Sequence, residues 1–219
     1  MNLAPRMARL GTETAFEVVA RARALEAAGR NIVHLGMGEP DFPTPGFVVE
    51  AGAEALREGW TKYGPAPGQP ELRAAIAERT AATRGVAVSP EEVVVTPGAK
   101  PVLFHATLAL VEEGDEVLLP DKCFPIYESM ARFAGGTCVF YHLTGERGFA
   151  PDPAEIASLL SARTKLLVLN SPGNPCGGMS TASDLGSIAA AVRRTSAWVM
   201  SDEIYSDFAY DGVHASILS

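Results

Sequence analysis

Cysteine is scarce in this 219-residue chain. Cys123, Cys138 and Cys176 make an odd number, and no pair has the spacing of a metal site. That suits a reducing compartment better than a disulfide framework, so a cytoplasmic setting is expected. No run approaches the roughly 18 apolar residues of a membrane span. The opening MNLAPRMARLGTETAF holds no apolar run of signal-peptide length. Basic residues are outnumbered, 18 Lys and Arg against 26 Asp and Glu, for a formal net charge of −8. Nucleic acid and anionic membrane surfaces are therefore poor partners. Repeats, low-complexity tracts and charge runs are absent. Apolar residues make up 47% of the chain, enough for a sizeable core.

The order of elements predicts the fold class. Thr14 to Gly29 reads as an amphipathic helix, with Thr14 and Glu17 at capping-box spacing. NIVHL is a short predicted strand that leads into a Gly- and Pro-rich turn, and GFVVEAGAEALREG and ELRAAIAERTAATRG are further helices. Beyond Gly85 five β-like runs alternate with helical patterns: EVVVT, DEVLLP, TCVFYHL, TKLLVLN and AWVMSDE. Before the helix DPAEIASLLSAR, Asp152 is a predicted N-cap with Pro153 at the first position and Glu155 at capping-box spacing. Strands separated by helices predict an α/β fold, three layers with a mostly parallel sheet covered on both faces.

In such sheets ligands bind outside the carboxyl ends of the strands. After EVVVT, Gly98, Ala99 and Lys100 open a helix whose backbone N–H groups suit a phosphate, although any tight turn also wants glycine. After DEVLLP come Phe124 and Tyr127, either of which could stack on a planar ring or simply fill the core. After TKLLVLN comes NSPGNPCGG, where Asn174 precedes Pro175 and is held out of the helical region. A plain turn uses the same residues. After AWVMS come Asp202 and Tyr205, and an Asp there is also a natural helix cap. Together these sites put phosphate donors, a flat aromatic, an amide, a carboxylate and a phenol at one sheet edge. Pyridoxal phosphate, an aromatic heterocycle with a phosphate arm and a ring nitrogen that takes an Asp partner, fits that set.

At this point the chain resembles the class I/II, fold-type I pyridoxal-phosphate-dependent aminotransferases. The motifs that carry the resemblance are GEPDFPTP (38–45), KYGPAPGQPELRAAIA (62–77), TPGAKP (96–101), NSPGNPCGG (170–178) and SDEIYSDF (201–208). The resemblance implies that Asp202 pairs with the pyridinium nitrogen and that Tyr205 and Asn174 hydrogen-bond the ring's 3-oxygen. Phe124 would stack on the ring, and Gly98, Ala99 and Lys100 would form the phosphate turn. Gly38 would lie against the substrate carboxylate. Tyr63 would reach the phosphate of a neighbouring subunit, so the whole protein is expected to be a homodimer in amino acid metabolism. Its substrates would be an amino acid and a 2-oxo acid.

The same resemblance places the Schiff-base lysine, and the arginines for phosphate and substrate carboxylate, beyond Ser219. Lys62, Lys100, Lys122 and Lys165 lie outside such a segment and are expected to be solvated. No catalytic residue is therefore assigned within the chain, and it is expected to be an inactive N-terminal portion of a longer enzyme. Residues 1–45 would be an N-terminal arm with part of a small domain, and 46–219 an incomplete cofactor-binding large domain. Cutting off the last strands would leave EVVVT without sheet neighbours. Other readings on the same scaffold are a C–S lyase or synthase, or a non-catalytic regulatory module.

Overall fold

Four apolar runs, each short enough to be buried on both faces, pair into one parallel sheet. The computed structural model describes residues 2–11 and 14–219. Its strands are β1 (Glu116–Pro120), β2 (Thr137–Tyr141), β3 (Thr164–Asn170) and β4 (Trp198–Asp202), in the order β2-β1-β3-β4. All three ladders are parallel. Each parallel neighbour needs a crossover. The helices α5 (Ile126–Ala134), α6 (Pro153–Leu159) and α7 (Ala182–Val192) supply them, and α4 (Ala99–Leu110) precedes β1.

Strand alternation divides the core in two. Val117, Leu119, Leu166 and Val168 pack with Leu103 of α4 and with Tyr127 and Ala131 of α5. Leu118, Leu167 and Leu169 pack with Ile156 of α6 and with Leu185 and Ile188 of α7. The expected three-layer α/β/α arrangement is therefore present.

Two predicted strands are absent among the described residues. EVVVT joins no ladder, so the sheet has four strands rather than five. Val93 is buried and its carbonyl accepts from Arg73 Nε at 2.9 Å, while Val94 is 64% exposed. NIVHL is also unpaired. A run of β-formers becomes a strand only where a neighbour offers a ladder.

Glycine 98 and Asp152 begin their helices as expected, and Asp152 accepts from Ala154 N at 2.9 Å ahead of Pro153. The capping box at Glu155 does not form. Its carboxylate accepts instead from His142 N at 3.0 Å and meets His142 Nδ1 at 2.6 Å. That hydrogen bond, and then the charge of Glu155, raise the His142 pKa above its usual 6.5. A raised imidazole stabilises the fold fully below the unfolded value, and the contribution is lost as pH rises through the folded one. In Glu155→Gln the NMR titration midpoint of His142 is expected to fall; an unmoved midpoint contradicts the pairing.

The chain divides into two compact units, Met1–Thr12 with Glu71–Ser219, and Glu13–Pro70. The first holds the sheet, its helices and most of α3 (Pro70–Arg84). The second holds α1 (Thr14–Ala27) and α2 (Gly46–Arg57), with His34 Nε2 2.7 Å from Glu26 Oε1. The expected cap at Thr14 involves a side chain outside the described residues.

Candidate functional site

The carboxyl ends of β3 and β4 lie side by side, with Asn170 in register with Asp202. Asn170 ties this corner together. Its Nδ2 donates to the carbonyls of Asp202 at 3.0 Å and Pro172 at 3.2 Å, and its Oδ1 accepts from Asn174 N at 2.7 Å. Both of its amide N–H groups and one oxygen lone pair are thus spent on positioning backbone. Asn174 is half-buried, and its peptide to Pro175 is cis. The far end of the loop is closed by Gly173 N donating to Gly178 O at 3.0 Å. Gly178 is itself pressed against the carbonyl of Phe149, where a Cβ would stand 2.3 Å from the oxygen. Only glycine permits that approach.

Asp202 is half-buried at the tip of β4. One carboxylate oxygen, Oδ1, accepts from Ile204 N at 3.2 Å and the other accepts from the Tyr127 hydroxyl at 2.6 Å. The first contact is a local turn of the kind Asp makes at a strand end. The second spans 75 residues and joins α5 to β4. Tyr127 is only 5% exposed. Burial, and then the bond to Asp202, push its phenol pKa far above the ordinary value. Its ring meets Phe124 edge-on, with centroids 5.9 Å apart at 87°. Phe124 in turn carries Lys100 Nζ 5.6 Å from its ring centroid. Lys100 is exposed, as expected of it, but lies over this aromatic face.

The turn ahead of α4 is bent by Gly98, whose φ of +88° lies in the region glycine favours. Thr96 Oγ1 donates to the Gly98 carbonyl at 2.6 Å and holds the bend. Ala99 and Lys100 are the first two helical residues. The first N–H groups of a helix have no intrahelical acceptor and carry the positive end of its dipole.

Lys100, Phe124, Asp202 and Asn174 are therefore linked by direct contacts running through Tyr127 and Asn170. Tyr205, three residues past Asp202, is 38% exposed and stacks edge-on with Phe208 at 6.2 Å. Gly38 and Tyr63 belong to the other unit; there a Cβ on Gly38 would meet nothing within 4 Å, and Tyr63 is fully exposed. Sequence reasoning left Tyr127 between stacking and core, and gave Asn170 no part. The residue type alone was the only signal for either: a Tyr near a strand end and an Asn as the last strand residue.

The other candidates are simpler. Cys123, Cys138 and Cys176 are free and half-buried, and burial raises the Cys123 thiol to about 11. Among the described residues no group of His, Cys, Asp and Glu could hold a metal, and no helix is long and apolar enough to cross a membrane. A groove of about 480 Å³ along α3 and β4 is lined by Ile76, Thr80, Val199, Ser201 and Glu203 among others, not by Asp202. Arg84 Nε donates to Glu203 at 2.8 Å beside it.

This geometry has close counterparts. Over 95% of its length the chain is 42% identical to a probable aspartate/prephenate aminotransferase of Aquifex aeolicus, and it spans 53% of that protein. An aspartate aminotransferase of Geobacillus stearothermophilus is 36% identical over 99% of the chain, with 56% of the relative covered. The chain superposes on aspartate aminotransferase from Thermus thermophilus with maleate at a TM-score of 0.95 and 40% identity, covering 99% of this chain and 57% of that one. For alanine aminotransferase from Pyrococcus furiosus the TM-score is 0.94 at 34% identity, over 100% and 56%. The chain thus spans little more than half the length of these relatives. The family model for aminotransferase class I and II matches residues 30–218, and the chain belongs to that family.

Proposed function

We propose that the whole protein of which these residues form part is a pyridoxal-phosphate-dependent aminotransferase that moves an amino group between an amino acid and a 2-oxo acid. The observation that carries this reading is Asp202, a half-buried carboxylate oriented from two sides at the tip of β4. A carboxylate so placed is matched by a cationic ring nitrogen, and each charge offsets the other's desolvation. Phe124 offers a ring face beside it, and the Gly98–Ala99–Lys100 turn offers backbone donors and a helix dipole to a phosphate. Asn174, held by Asn170, and Tyr205 stand at the same sheet edge as amide and phenol donors to a ring oxygen. The residues present therefore fit the cofactor. When bound, the cofactor's ring takes up the electron pair left at the substrate's α-carbon as its proton departs.

The remaining assignments are part of the same proposal. Gly38 leaves room for a substrate carboxylate, and Tyr63 serves a neighbouring subunit of a homodimer in the cytoplasm. The lysine that bonds the cofactor and the arginines that grip the anionic groups come from the polypeptide beyond Ser219. Residues 1–45 form an N-terminal arm with part of a small domain, and residues 46–219 part of a large cofactor-binding domain.

Aspartate is the first amino donor to test, since relatives in three genera carry it in their names. The whole protein mixed with pyridoxal phosphate is expected to develop an absorption band of bound cofactor. Aspartate should bleach that band, and a 2-oxo acid should restore it. A band that no amino acid of a donor panel bleaches would contradict the aminotransferase reading and favour a binding module.

A further inference from the structure

We propose that Tyr127 is a positioning residue for the cofactor ring, acting on Asp202 through its hydroxyl and on Phe124 through its ring edge. The inference rests on the reading of Asp202 and Phe124 given above and adds to it a residue with no contact to the cofactor of its own. Three observations carry it. Tyr127 is anchored: it lies in the first turn of α5, 5% exposed, within the core formed by Leu103, Val117, Leu119 and Ala131. Asp202 is not: it is half-exposed at a strand end, and the only other described hydrogen bond to its carboxylate is the 3.2 Å turn contact from Ile204 N. Finally, the two groups Tyr127 touches are the two that would meet one ring from different sides, Asp202 at 2.6 Å and Phe124 at 5.9 Å.

A short carboxylate side chain at a strand tip has two torsions and free access to water. A single weak local bond leaves both torsions loosely set. A second donor on the other oxygen fixes the carboxylate plane, and because that donor is charge-assisted it is among the stronger kinds of hydrogen bond. The phenol is well suited to the task. Its body is held by packing and only its polar tip reaches the site. A displaced Tyr127 would move acid and stacking face together, so their mutual geometry is set by one side chain. The competing explanation is that Asp202 merely satisfies a buried hydroxyl, in which case the bond serves stability and not the ring.

The two explanations separate in a double-mutant cycle on the whole protein, read as the dissociation constant of pyridoxal phosphate and as the melting midpoint of the cofactor-free form. Tyr127→Phe keeps the ring and removes the hydroxyl. It is expected to weaken pyridoxal phosphate binding about tenfold, the low end for a hydrogen bond to a charged group. In the Asp202→Asn background the same change should alter binding less than about twofold, because the carboxylate it orients is gone. Tyr127→Phe binding within twofold of the unaltered protein, with Asp202→Asn impaired, overturns the role of Tyr127 and leaves that of Asp202 standing. Equal losses in both backgrounds overturn it as well, since they report loosened packing. If Asp202→Asn itself binds as well as the unaltered protein, the reading of Asp202 fails first. A crystal structure of the unaltered protein with pyridoxal phosphate gives an answer independent of any variant's folding. The hydroxyl should lie within hydrogen-bond reach of Asp202 while Asp202 faces the ring nitrogen; a hydroxyl turned elsewhere ends the proposal.

Discussion

Asp202→Asn in the whole protein is expected to lower kcat/KM with aspartate about 100-fold, some 2.7 kcal/mol of lost stabilisation. Removing one member of a buried charge pair costs about 3–5 kcal/mol. Asp202 is only half-buried, and solvent screening lowers that figure. The substitution is informative because it is nearly isosteric. The amide oxygen still accepts from the Tyr127 hydroxyl, so the 2.6 Å bond has a replacement and the packing around α5 is kept. What disappears is the negative charge. The melting midpoint of the cofactor-free protein should therefore stay close to that of the unaltered one while turnover falls. Activity within threefold would remove the electrostatic basis of the functional reading.

Gly178→Ala should have the largest effect on stability. Its Cβ would stand 2.3 Å from the Phe149 carbonyl oxygen, 2.4 Å from the carbonyl carbon and 2.8 Å from the Gly148 oxygen. All three are backbone atoms, so no rotamer change relieves the contact. Phe149 has little freedom to give way, since it already sits at φ +61°, an uncommon setting for a residue with a side chain. Overpacking of this kind costs about 1–3 kcal/mol, and here the upper end is expected. The strain would be carried into the loop through the Gly173–Gly178 bond, shifting Asn174 and weakening pyridoxal phosphate binding as well. Gly186→Ala is the matched control. It lies within α7 with nothing inside 4 Å of its Cβ, and alanine there should stabilise by about 0.5–1 kcal/mol. Thermal melts of the two variants that move together would contradict the close-approach argument.

Local pattern located elements well and their partners poorly. The start of α4 at Ala99 and the cap at Asp152 were legible because a turn glycine and an Asp-Pro pair act within a few residues. β1 to β4 were legible as apolar runs of strand length. EVVVT was misread because its composition suits a strand equally well, and only the neighbouring chain decides whether a ladder forms. Glu155 was misread for a related reason. The capping partner lies three residues away in sequence, but His142 is closer in space and takes both oxygens. In the candidate site, Asp202, Asn174 and Phe124 were visible as residue types at strand ends. Tyr127 and Asn170 were not, because what distinguishes them is a hydrogen bond made 75 and 32 residues away.

The Tyr127–Asp202 bond has a consequence for how the protein assembles. It closes a 75-residue loop, and it exists only once β1 has found β3 and β3 has found β4. Non-local pairings of this sort lose chain entropy before they return any contact, so they come late in folding. Asp202 is thus delivered to its place by one of the last steps, on a strand paired with β3. A small molecule gripping that carboxylate binds the finished sheet and nothing before it. At a hundredfold excess over its dissociation constant it adds about 2.7 kcal/mol to the native state. A cofactor bound there would then act as a latch on the completed pairing of β3 with β4.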